Sequence, residues 1–510
     1  MQMLELTPLL AEHPNGIWDL KRKQPIYEQL YAHIRTEIRA GRISSGSKLP
    51  SQRRLADHLN VSRNTVDAAY QQLLAEGYLH SEPRRGLFVS ELPESEEEPR
   101  SGKSNIEKFE IAHLNQDKNR WDSDGSALDV GDVAESAKAA NEPLCDFRYG
   151  DVDTRHFPYR LWRQFLMKSL SPEHARLFQH GDQQGEIELR QQIAEYLYQS
   201  RGVSCLPEQI VIGAGTQWLM DLLCRLIGRE ARYGMEEPGY VRMRKIFEDC
   251  GRSPFAANLD ESGIRVHELR QGGVQAVYVT PSHQFPTGTV MSVSRRLELI
   301  EWARSAGGTI IEDDYDSEFR YEGRPIPSLH SLDNHGNTVY VGTFSKSLMP
   351  SVRIGYLVLP DKLMNAYQAK GQHYKQTTSR LDQYTLALFM QSGEWARHLN
   401  RMRNLYKKRY LALLASIRTY MNQKVRIIGA ASGLHLLLEP NNGMTEQELI
   451  GAAEKWGVRV YPVADCYIDP PTASDQAQVL LGYAGANEAA IEEGVKILAA
   501  AWDIQRIRRQ

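Results

Sequence analysis

The chain reads TFSKSLMPSVRIGY at residues 343–356, so that one lysine stands between two serines and an arginine follows seven residues later. The apolar run VYV at residues 339–341 predicts a strand that leads toward Lys346. A lysine held in a site that lowers its pKa is a nucleophile that can form a Schiff base with an aldehyde. The flanking hydroxyls and Arg353 can hold a phosphate. Together these groups predict a site for pyridoxal phosphate (PLP).

Two upstream motifs suit the same cofactor. Residues 212–217 read IGAGTQ, a strand end, a small-residue turn and a helix start, and backbone N–H groups at a helix start bind phosphate. Residues 309–316 read TIIEDDYD, and an acid at the end of that strand can pair with the pyridinium nitrogen of the cofactor. The residues expected to hold the phosphate are Gly215, Thr216, Gln217, Thr343, Ser345 and Arg353.

The other end of the chain predicts three short helices and a wing. Residues 25–38 place apolar side chains at helical spacing, and LPSQRRLA at residues 49–56 opens a second helix that Ser51 can cap. VSRNTV at residues 61–66 then turns into a third helix, and this helix-turn-helix geometry enters the DNA major groove. Residues 77–79 and 84–89 read as two strands of a wing with a basic tip.

Length, composition and charge describe a multidomain chain. Its 510 residues exceed a typical domain of roughly 100–200 residues. Residues 1–90 carry 12 basic and 9 acidic side chains, a net of +3, whereas residues 91–143 carry 6 and 14, a net of −8. The five cysteines have no paired spacing, which predicts reduced thiols and neither disulfides nor a metal site. No signal peptide or membrane span is predicted, so we expect a cytoplasmic protein.

The body of the chain shows a regular alternation of elements. Beyond residue 144, short β-branched strands alternate with amphipathic helices, which predicts a mostly parallel α/β sheet. We therefore expect three parts: a DNA-binding head at residues 1–90, a flexible acidic linker at 91–143, and a body at 144–510.

The head motifs resemble the winged helix-turn-helix of the GntR family over about residues 17–90 of this sequence. The resemblance implies DNA binding by residues of the second and third helices and of the wing. Arg63 can read a base edge or clamp a phosphate, and both readings stay open. The residues expected to contact DNA are Arg53, Arg63, Asn64, Thr65, Arg85 and Gly86.

The body resembles the fold-type I PLP-dependent aminotransferases. The resemblance implies that Lys346 carries the cofactor and that Tyr240, in EPGY at residues 237–240, stacks on its ring. Asp313 is expected at the ring nitrogen and Tyr315 at the ring oxygen, from the family's Asp-x-Tyr spacing ahead of the lysine. Asp314 is the alternative acid.

One turn departs from the family pattern. PSHQFPTG at residues 281–288 looks like the family's Asn-Pro-Thr-Gly turn, but Phe285 stands at the asparagine position. The usual amide contact to the ring oxygen is therefore in doubt. Either His283 or Gln284 can substitute for it.

The head, linker and body together resemble the MocR subfamily of bacterial regulators. This implies a homodimer arranged head-to-tail, with each head against the other subunit's body. It also implies a response to an amino compound such as GABA, taurine or a D-alanine-related metabolite, or to PLP itself. Arg242 matches a carboxylate-binding position of the GABA-responsive members.

The arginine that aminotransferases usually carry near the C-terminal strand is replaced here. Residues 478–484 read QVLLGYA, and Leu480 occupies that position. Arg459 can take its place, or the clamp is absent, and the departure speaks against general transamination of α-amino acids. We expect a PLP-dependent transcriptional regulator that binds promoter DNA. The alternatives are a working aminotransferase with an appended DNA-binding domain, and a dimerisation body without PLP.

Overall fold

A computed structural model describes residues 25–91 except 60 and 83–84, and residues 143–504 except 252, 322–326, 371–373, 422–423, 430–431 and 470–476. Nearly all of the linker predicted at 91–143 lies outside the described residues. The described head and body belong to one compact unit.

The head contains three helices joined by short turns: α1 spans Ile26–Arg39, α2 spans Gln52–Leu59 and α3 spans Arg63–Ala75. Ser62 caps α3, because its hydroxyl oxygen accepts the backbone N–H of Thr65 at 3.1 Å. This cap fixes where the third helix begins, as the sequence predicts.

The wing and the helices share one apolar core. Strands β1, Leu79–Glu82, and β2, Gly86–Val89, pair antiparallel. The apolar positions predicted on the helices face inward and are buried together with the wing strands. The core of the head includes Leu30, Ile34, Ile38, Leu55, Val66, Ala69, Tyr70, Leu73 and Val89.

The body alternates strands and helices along its chain, as predicted. In chain order its elements are β3 (Cys145–Asp146), α4 (Tyr159–Ser169), α5 (Ile187–Arg201), β4 (Ile210–Gly213), α6 (Thr216–Ile227), β5 (Tyr233–Glu237), α7 (Val241–Asp249), β6 (Phe255–Asp260), β7 (Gly263–Ile264), α8 (Val266–Gln271), β8 (Ala276–Val279), α9 (Val293–Ala306), β9 (Thr309–Asp314), α10 (Leu329–Leu332), β10 (Thr338–Thr343), β11 (Gly355–Val358), α11 (Asp361–Lys370), α12 (Arg380–Gln391), α13 (Glu394–Tyr420), β12 (Val425–Ile428), β13 (His435–Pro440), α14 (Glu446–Lys455), β14 (Val458–Arg459), β15 (Tyr461–Pro462), β16 (Val479–Gly482) and α15 (Glu488–Ala501).

Eight strands form one large sheet in the order β4-β11-β10-β9-β8-β5-β6-β7. The five strands from β10 to β6 run parallel, whereas β11 pairs antiparallel with β10 and with β4, and β7 pairs antiparallel with β6. Strands β4 and β8 are buried at every position, as in a sheet covered on both faces. The carboxyl ends of the parallel strands meet at one edge, where ligands bind in such sheets.

A second, smaller sheet lies in the C-terminal part of the body. Its order is β12-β13-β16-β15, and all its pairs are antiparallel. The long helix α13 packs along α15, and the parallel pair β3–β14 joins the first strand of the body to this part. The core of this part includes Phe319, Tyr406, Leu436, Leu481 and Trp502.

The head contacts the body at the first residue of α9. The backbone N–H of Val293 donates to the carbonyl oxygen of Glu76 at 3.0 Å. Val293 is buried in the head's own apolar core, and Leu297 packs against the same core. In this single chain the head therefore lies on the body of its own chain, whereas the family resemblance implies the partner's body. The homodimer stays a prediction.

No helix in the described parts of the chain is long and apolar enough to cross a membrane. The five cysteines are free thiols, and four of them are buried.

Candidate cofactor pocket and DNA-contacting face

Lys346 lies directly after β10, at the carboxyl edge of the large sheet. Its ammonium is 4.4 Å from the centre of the Tyr149 ring. Burial is the main cause that lowers the pKa of Lys346 from 10.5 to about 8; the charge of Arg242 acts in the same direction, and that of Asp316 opposes it. Because a neutral amine is the nucleophilic form, this lysine is prepared to attack a carbonyl near neutral pH.

The two adjacent acids at the end of β9 have different partners. Asp314 is ion-paired with Arg201 at 2.6 Å and accepts the hydroxyl of Tyr340 at 2.5 Å. Asp313 points to the other face of the sheet, where its Oδ2 accepts the hydroxyl of Tyr278 at 2.5 Å.

The second oxygen of the Asp313 carboxylate, Oδ1, is buried and has no hydrogen-bond partner. Burial is the main cause that raises the pKa of Asp313 from 3.8 to about 7. A buried acceptor of this kind suits a protonated ring nitrogen, which would satisfy it and hold its charge. Asp314 also has a buried oxygen without a hydrogen-bond partner, Oδ1, but its charge is already balanced by the ion pair with Arg201.

The predicted phosphate residues gather at the start of α6. Gly215 precedes this helix with φ +85°, and a Cβ there would lie 2.6 Å from the guanidinium of Arg353. Thr216 and Gln217 are the first two residues of the helix, whose leading N–H groups have no partner within the helix. The guanidinium of Arg353 donates to the carbonyl of Ala214 at 3.3 Å. A cation and a helix N-terminus thus meet, as anion binding requires.

The backbone of Arg353 is itself unusual. Its φ of 50° is one of only two positive values among the non-glycine residues that the structure describes. A side chain in this left-handed region costs roughly 1–2 kcal/mol. Such cost clusters at functional sites, where the surroundings hold the residue in place.

Thr343 and Ser345 lie on the turn that carries Lys346. The hydroxyl oxygen of Thr343 accepts the backbone N–H of Ser345 at 3.1 Å, and both residues are partly buried. Their contact with a phosphate stays a prediction.

Tyr240 and Arg242 lie at the start of α7, on the Lys346 side of the sheet. The ring of Tyr240 is 5.3 Å from that of Phe285. Burial raises the pKa of the Tyr240 hydroxyl, and both the charge of Arg242 and its hydrogen bond to that hydroxyl oppose the rise. Arg242 is exposed and its charge acts on Lys346. The charge of the predicted effector residue therefore reaches the lysine, and its binding of an effector stays a prediction.

Gln284 and His283, the two candidates to replace the missing asparagine, differ in whether they keep a polar atom without a hydrogen-bond partner. The amide of Gln284 is used within its own turn: its nitrogen donates to the carbonyls of Pro238 at 2.9 Å and Phe285 at 2.6 Å, and its oxygen accepts the hydroxyl of Thr287 at 2.6 Å. Gln284 is therefore not available as a substitute. The alternative, His283, keeps one ring nitrogen, Nε2, without a partner.

Tyr315 is bonded to this histidine. Its hydroxyl donates to the carbonyl of His283 at 2.7 Å and lies 3.1 Å from Nδ1 of that ring. Asp316 lies 3.0 Å from the same nitrogen, and His435 completes a buried cluster whose polar atoms could surround a metal ion. Because Asp316 and Tyr315 already occupy Nδ1, the hydrogen-bonded arrangement accounts for the cluster without a metal.

Leu480 lies on β16, in an apolar cluster with Phe285 and Tyr315. The alternative arginine, Arg459, lies on β14 and pairs with Asp146 of β3 at 3.6 Å. Its role as a replacement for the clamp stays a prediction.

The residues that are present suit PLP. The unpartnered Asp313 Oδ1, the neutralisable Lys346 and the cradle at Gly215 correspond to the ring nitrogen, the aldehyde and the phosphate. The sequence interpretation missed Tyr149 and Gly150: a Cβ on Gly150, where φ is +100°, would lie 2.8 Å from the Lys346 amine. The glycine in RYGDVD at residues 148–153 was the available signal.

The predicted DNA-contacting residues of the helices share one exposed region. Arg63 and Asn64 are the first two residues of α3 and are exposed, and Arg53 is exposed on α2. The hydroxyl of Thr65 lies 2.8 Å from that of Ser62, so its side chain supports the helix cap. The free polar ends therefore stand at the N-terminus of the helix that would enter the groove.

The wing presents a basic tip. Arg85 is exposed, forms an ion pair with Glu82 and lies 5.3 Å above the Phe88 ring. Gly86 has φ +113°, and a Cβ there would lie 3.2 Å from the Lys48 side chain. The contacts of both residues with DNA stay predictions.

Two known families match separate parts of the chain. Residues 26–89 match the bacterial regulatory proteins of the gntR family, and residues 151–498 match aminotransferase class I and II. The fold is thus a GntR winged helix-turn-helix followed by a fold-type I aminotransferase domain, as predicted from the sequence.

Two regulators and one enzyme illustrate the likeness. An uncharacterized HTH-type transcriptional regulator, YdeL of Bacillus subtilis, is 42% identical over 98% of this chain and 100% of its own. The probable rhizopine catabolism regulatory protein MocR of Rhizobium meliloti is 32% identical over 94% of each chain. The kynurenine aminotransferase of Pyrococcus horikoshii superposes with a TM-score of 0.65 at 26% identity, over 71% of this chain and 91% of that one.

Proposed function

The chain belongs to the MocR-like subfamily of GntR-type transcriptional regulators, and we propose that it binds promoter DNA and senses an amino compound, or PLP itself, at a PLP site on Lys346. One observation carries the proposal. A lysine with a pKa of about 8 and a buried carboxylate oxygen without a partner lie in one pocket, in the same polypeptide as a winged helix. A structural body alone has no use for either feature.

PLP, when bound, supplies an aldehyde that captures amines and a ring that withdraws electrons. The chain's residues divide the task of holding it. Lys346 offers its neutral amine. Asp313 holds a proton at the ring nitrogen through Oδ1, while Tyr278 fixes the other oxygen. The N-terminus of α6 and Arg353 bind the phosphate.

The effector site lies beside the lysine. Arg242 is exposed and its charge acts on both Tyr240 and Lys346, so its guanidinium can bind an acidic group of an entering amine. Leu480 provides an apolar wall where aminotransferases carry a second arginine. The arrangement favours amino compounds with one acidic group held at Arg242, such as GABA or taurine, over tightly clamped α-amino acids.

The DNA site is formed by the N-terminus of α3 together with α2 and the wing. Arg53, Arg63 and Asn64 present exposed donors for base edges or phosphates. A homodimer would place two such heads on one operator, so we expect an operator with two half-sites.

A working aminotransferase is the second candidate, because the fold of the body is that of aminotransferases. Leu480 in place of an arginine weakens it, since a substrate whose α-carboxylate is not clamped is poorly oriented. Sustained turnover with a keto acid would establish the enzyme, whereas a single half-reaction would not.

A visible-range titration of the purified protein tests the proposal. Added PLP is expected to produce an absorption band that Lys346→Ala abolishes, and one compound from a panel of GABA, taurine and both alanine enantiomers is expected to shift it. The same compound must change the affinity for promoter DNA. A band that no compound shifts would make PLP itself the signal, and no band in the wild-type protein would refute the PLP site.

A further inference from the structure

The head is seated on the body by one backbone hydrogen bond and two apolar side chains. The N–H of Val293 needs a partner, because the first N–H groups of a helix have none within it. It finds the carbonyl of Glu76, at 3.0 Å, the last residue before the turn at Gly77. Val293 and Leu297 complete the apolar core of the head. We call these contacts the head seat.

Arg296 lies between Val293 and Leu297 in α9 and is fully buried. Its guanidinium donates to three backbone carbonyls: Met291 at 3.1 Å, Pro327 at 2.8 Å and Pro281 at 2.8 Å. None of these acceptors carries a charge. A buried cation bound only to neutral carbonyls depends on more distant acids for its charge balance.

Three acids contribute to that balance, two in the body and one in the head. Burial is the main cause that lowers the pKa of Arg296 to about 10; the charge of Arg201 acts in the same direction, and the charges of Glu312, Glu76 and Asp314 oppose it. Glu312 belongs to β9, next to Asp313 of the pocket. Glu76 belongs to the head and faces Arg296 only while the head is seated. The guanidinium therefore interacts electrostatically with β9, the strand that carries Asp313, and with the head.

Glu76 is a buried group of the head. Its carboxylate accepts the hydroxyl of Tyr31 at 2.6 Å and the amide of Gln72. Arg35 donates to the Tyr31 hydroxyl at 3.0 Å. This network keeps the carboxylate in place against the seat.

Two of the carbonyls that Arg296 binds lie where the two ends of a pocket loop meet. The N–H of Met291 donates to the carbonyl of Pro281 at 2.9 Å, and Arg296 binds the carbonyls of both residues. The loop between them, residues 281–291, carries His283 and Phe285 to Tyr315 and Tyr240. One side chain thus fixes the base of a loop that lines the pocket and stands one turn from the head.

We propose that Arg296 is a positioning residue that couples the head seat to the pocket loop, residues 281–291, so that seating of the head and ordering of the loop occur together. The inference rests on the proposed function, because it describes how an occupied pocket would reach the DNA-binding head. The seat accepts a head from the same chain or from a second copy, since either presents the same residues.

Gly77→Asn perturbs the seat from the side of the head. Gly77 has φ +79°, a conformation that asparagine tolerates, and a Cβ there lies 3.4 Å from the Ser292 side chain. The rest of the asparagine side chain must displace the seat. Gly41→Asn is the matched control, because Gly41 has φ +70° and nothing within 4 Å of its Cβ.

Amide hydrogen exchange of the cofactor-free, full-length protein is the measurement. Gly77→Asn is expected to raise exchange in residues 281–291 by roughly fivefold or more, the lower end of usual coupling between sites. Gly41→Asn is expected to leave it unchanged. Arg296→Met is expected to raise it as well, and the Gly77→Asn change should add nothing in that background, because the link is already broken.

Unchanged exchange in residues 281–291 while the head peptides around residue 77 exchange faster would overturn the coupling, as would simple additivity of the two variants. If Arg296→Met does not fold, Arg296→Lys keeps the charge, loses the three-way fork and serves the same comparison. Dilution identifies the source of the head: loop protection independent of protein concentration indicates the same chain, and protection lost on dilution indicates a second copy. The measurement needs no PLP, so a failure of PLP binding and a failure of the coupling are separate results.

Discussion

At the residue scale, Asp313 and Lys346 mark the pocket, because the pKa of each is shifted toward the neutral form of its side chain. Asp314 has Arg201 and Tyr340, and its charge is fully used inside the fold. Asp313 has only the Tyr278 hydroxyl and an unpartnered oxygen. Lys346 is buried with opposing charges around it and loses its proton easily. A ligand that supplies a hydrogen-bond donor to Asp313 and a carbonyl group to Lys346 would suit both residues.

The pair Asp313 and Asp314 can be separated by conservative substitution. Asp314→Asn leaves Arg201 as a buried charge without its partner, so we expect the free energy of unfolding to fall by about 3 kcal/mol. Asp313→Asn removes an acid that is costly to ionise and should not destabilise the cofactor-free protein. Only Asp313→Asn should weaken the retention of PLP. Chemical denaturation and absorbance measure the two effects.

The Asp313 effect should depend on pH in a defined direction. Because the folded pKa of about 7 lies above the ordinary 3.8, protonated Asp313 stabilises the fold at low pH, and that stability is lost as pH rises toward 7. Each pH unit in this window is worth at most about 1.4 kcal/mol. The stability of Asp313→Asn relative to wild type should therefore rise between pH 5 and 7. A difference that stays flat with pH would contradict the raised pKa.

The reactivity of Lys346 is expected to follow its lowered pKa. The rate at which the cofactor-free protein captures added PLP should rise with pH and level off above about 8, with free lysine as the reference. Arg242→Gln removes a cation that lowers this pKa, so the midpoint of the capture rate against pH should move to higher pH. Asp151→Asn removes an anion that raises this pKa, so the midpoint should move to lower pH. Midpoints that move together would show that these charges do not act on Lys346.

At the element scale, α3 carries the predicted contacts with DNA. Arg63→Ala is expected to weaken operator binding by about 1–3 kcal/mol, measured by fluorescence anisotropy. Arg39→Ala, at the exposed end of α1, removes the same charge from a residue that is not predicted to contact DNA and is the control. Salt titration separates the two roles left open for Arg63: a phosphate contact lowers the salt slope by about 1, whereas base reading relaxes sequence preference.

Elements were more predictable than the contacts between them. The β-branched runs located β4, β8, β9 and β10, and Ser62 located the start of α3, because these signals are local. The Tyr278 hydroxyl on Asp313 and the seat of Val293 on Glu76 join residues distant in sequence, so no local pattern reveals them. Gln284 shows the same limit, since its chemistry suited a substitute and only its turn contacts exclude it.

At the scale of the whole molecule, a regulator must connect two sites thermodynamically. If the effector changes operator affinity by some factor, the operator must change effector affinity by the same factor, usually 5–150-fold. We expect equal factors when the band shift is titrated with and without operator DNA. Lys346→Ala should abolish both. Unequal factors would mean that the compound also acts outside this pocket.

The side chains of β9 alternate between the two faces of the sheet, and this limits which insertions and deletions the site can tolerate. Glu312, Asp313 and Asp314 are three acids in a row, but they point alternately to the two faces of the sheet. Loss or gain of one residue within the strand ahead of these acids would move each acid by one position, so that the odd and even positions trade faces. Such a shift keeps all three acids and destroys the site, whereas a change of two residues restores the original faces.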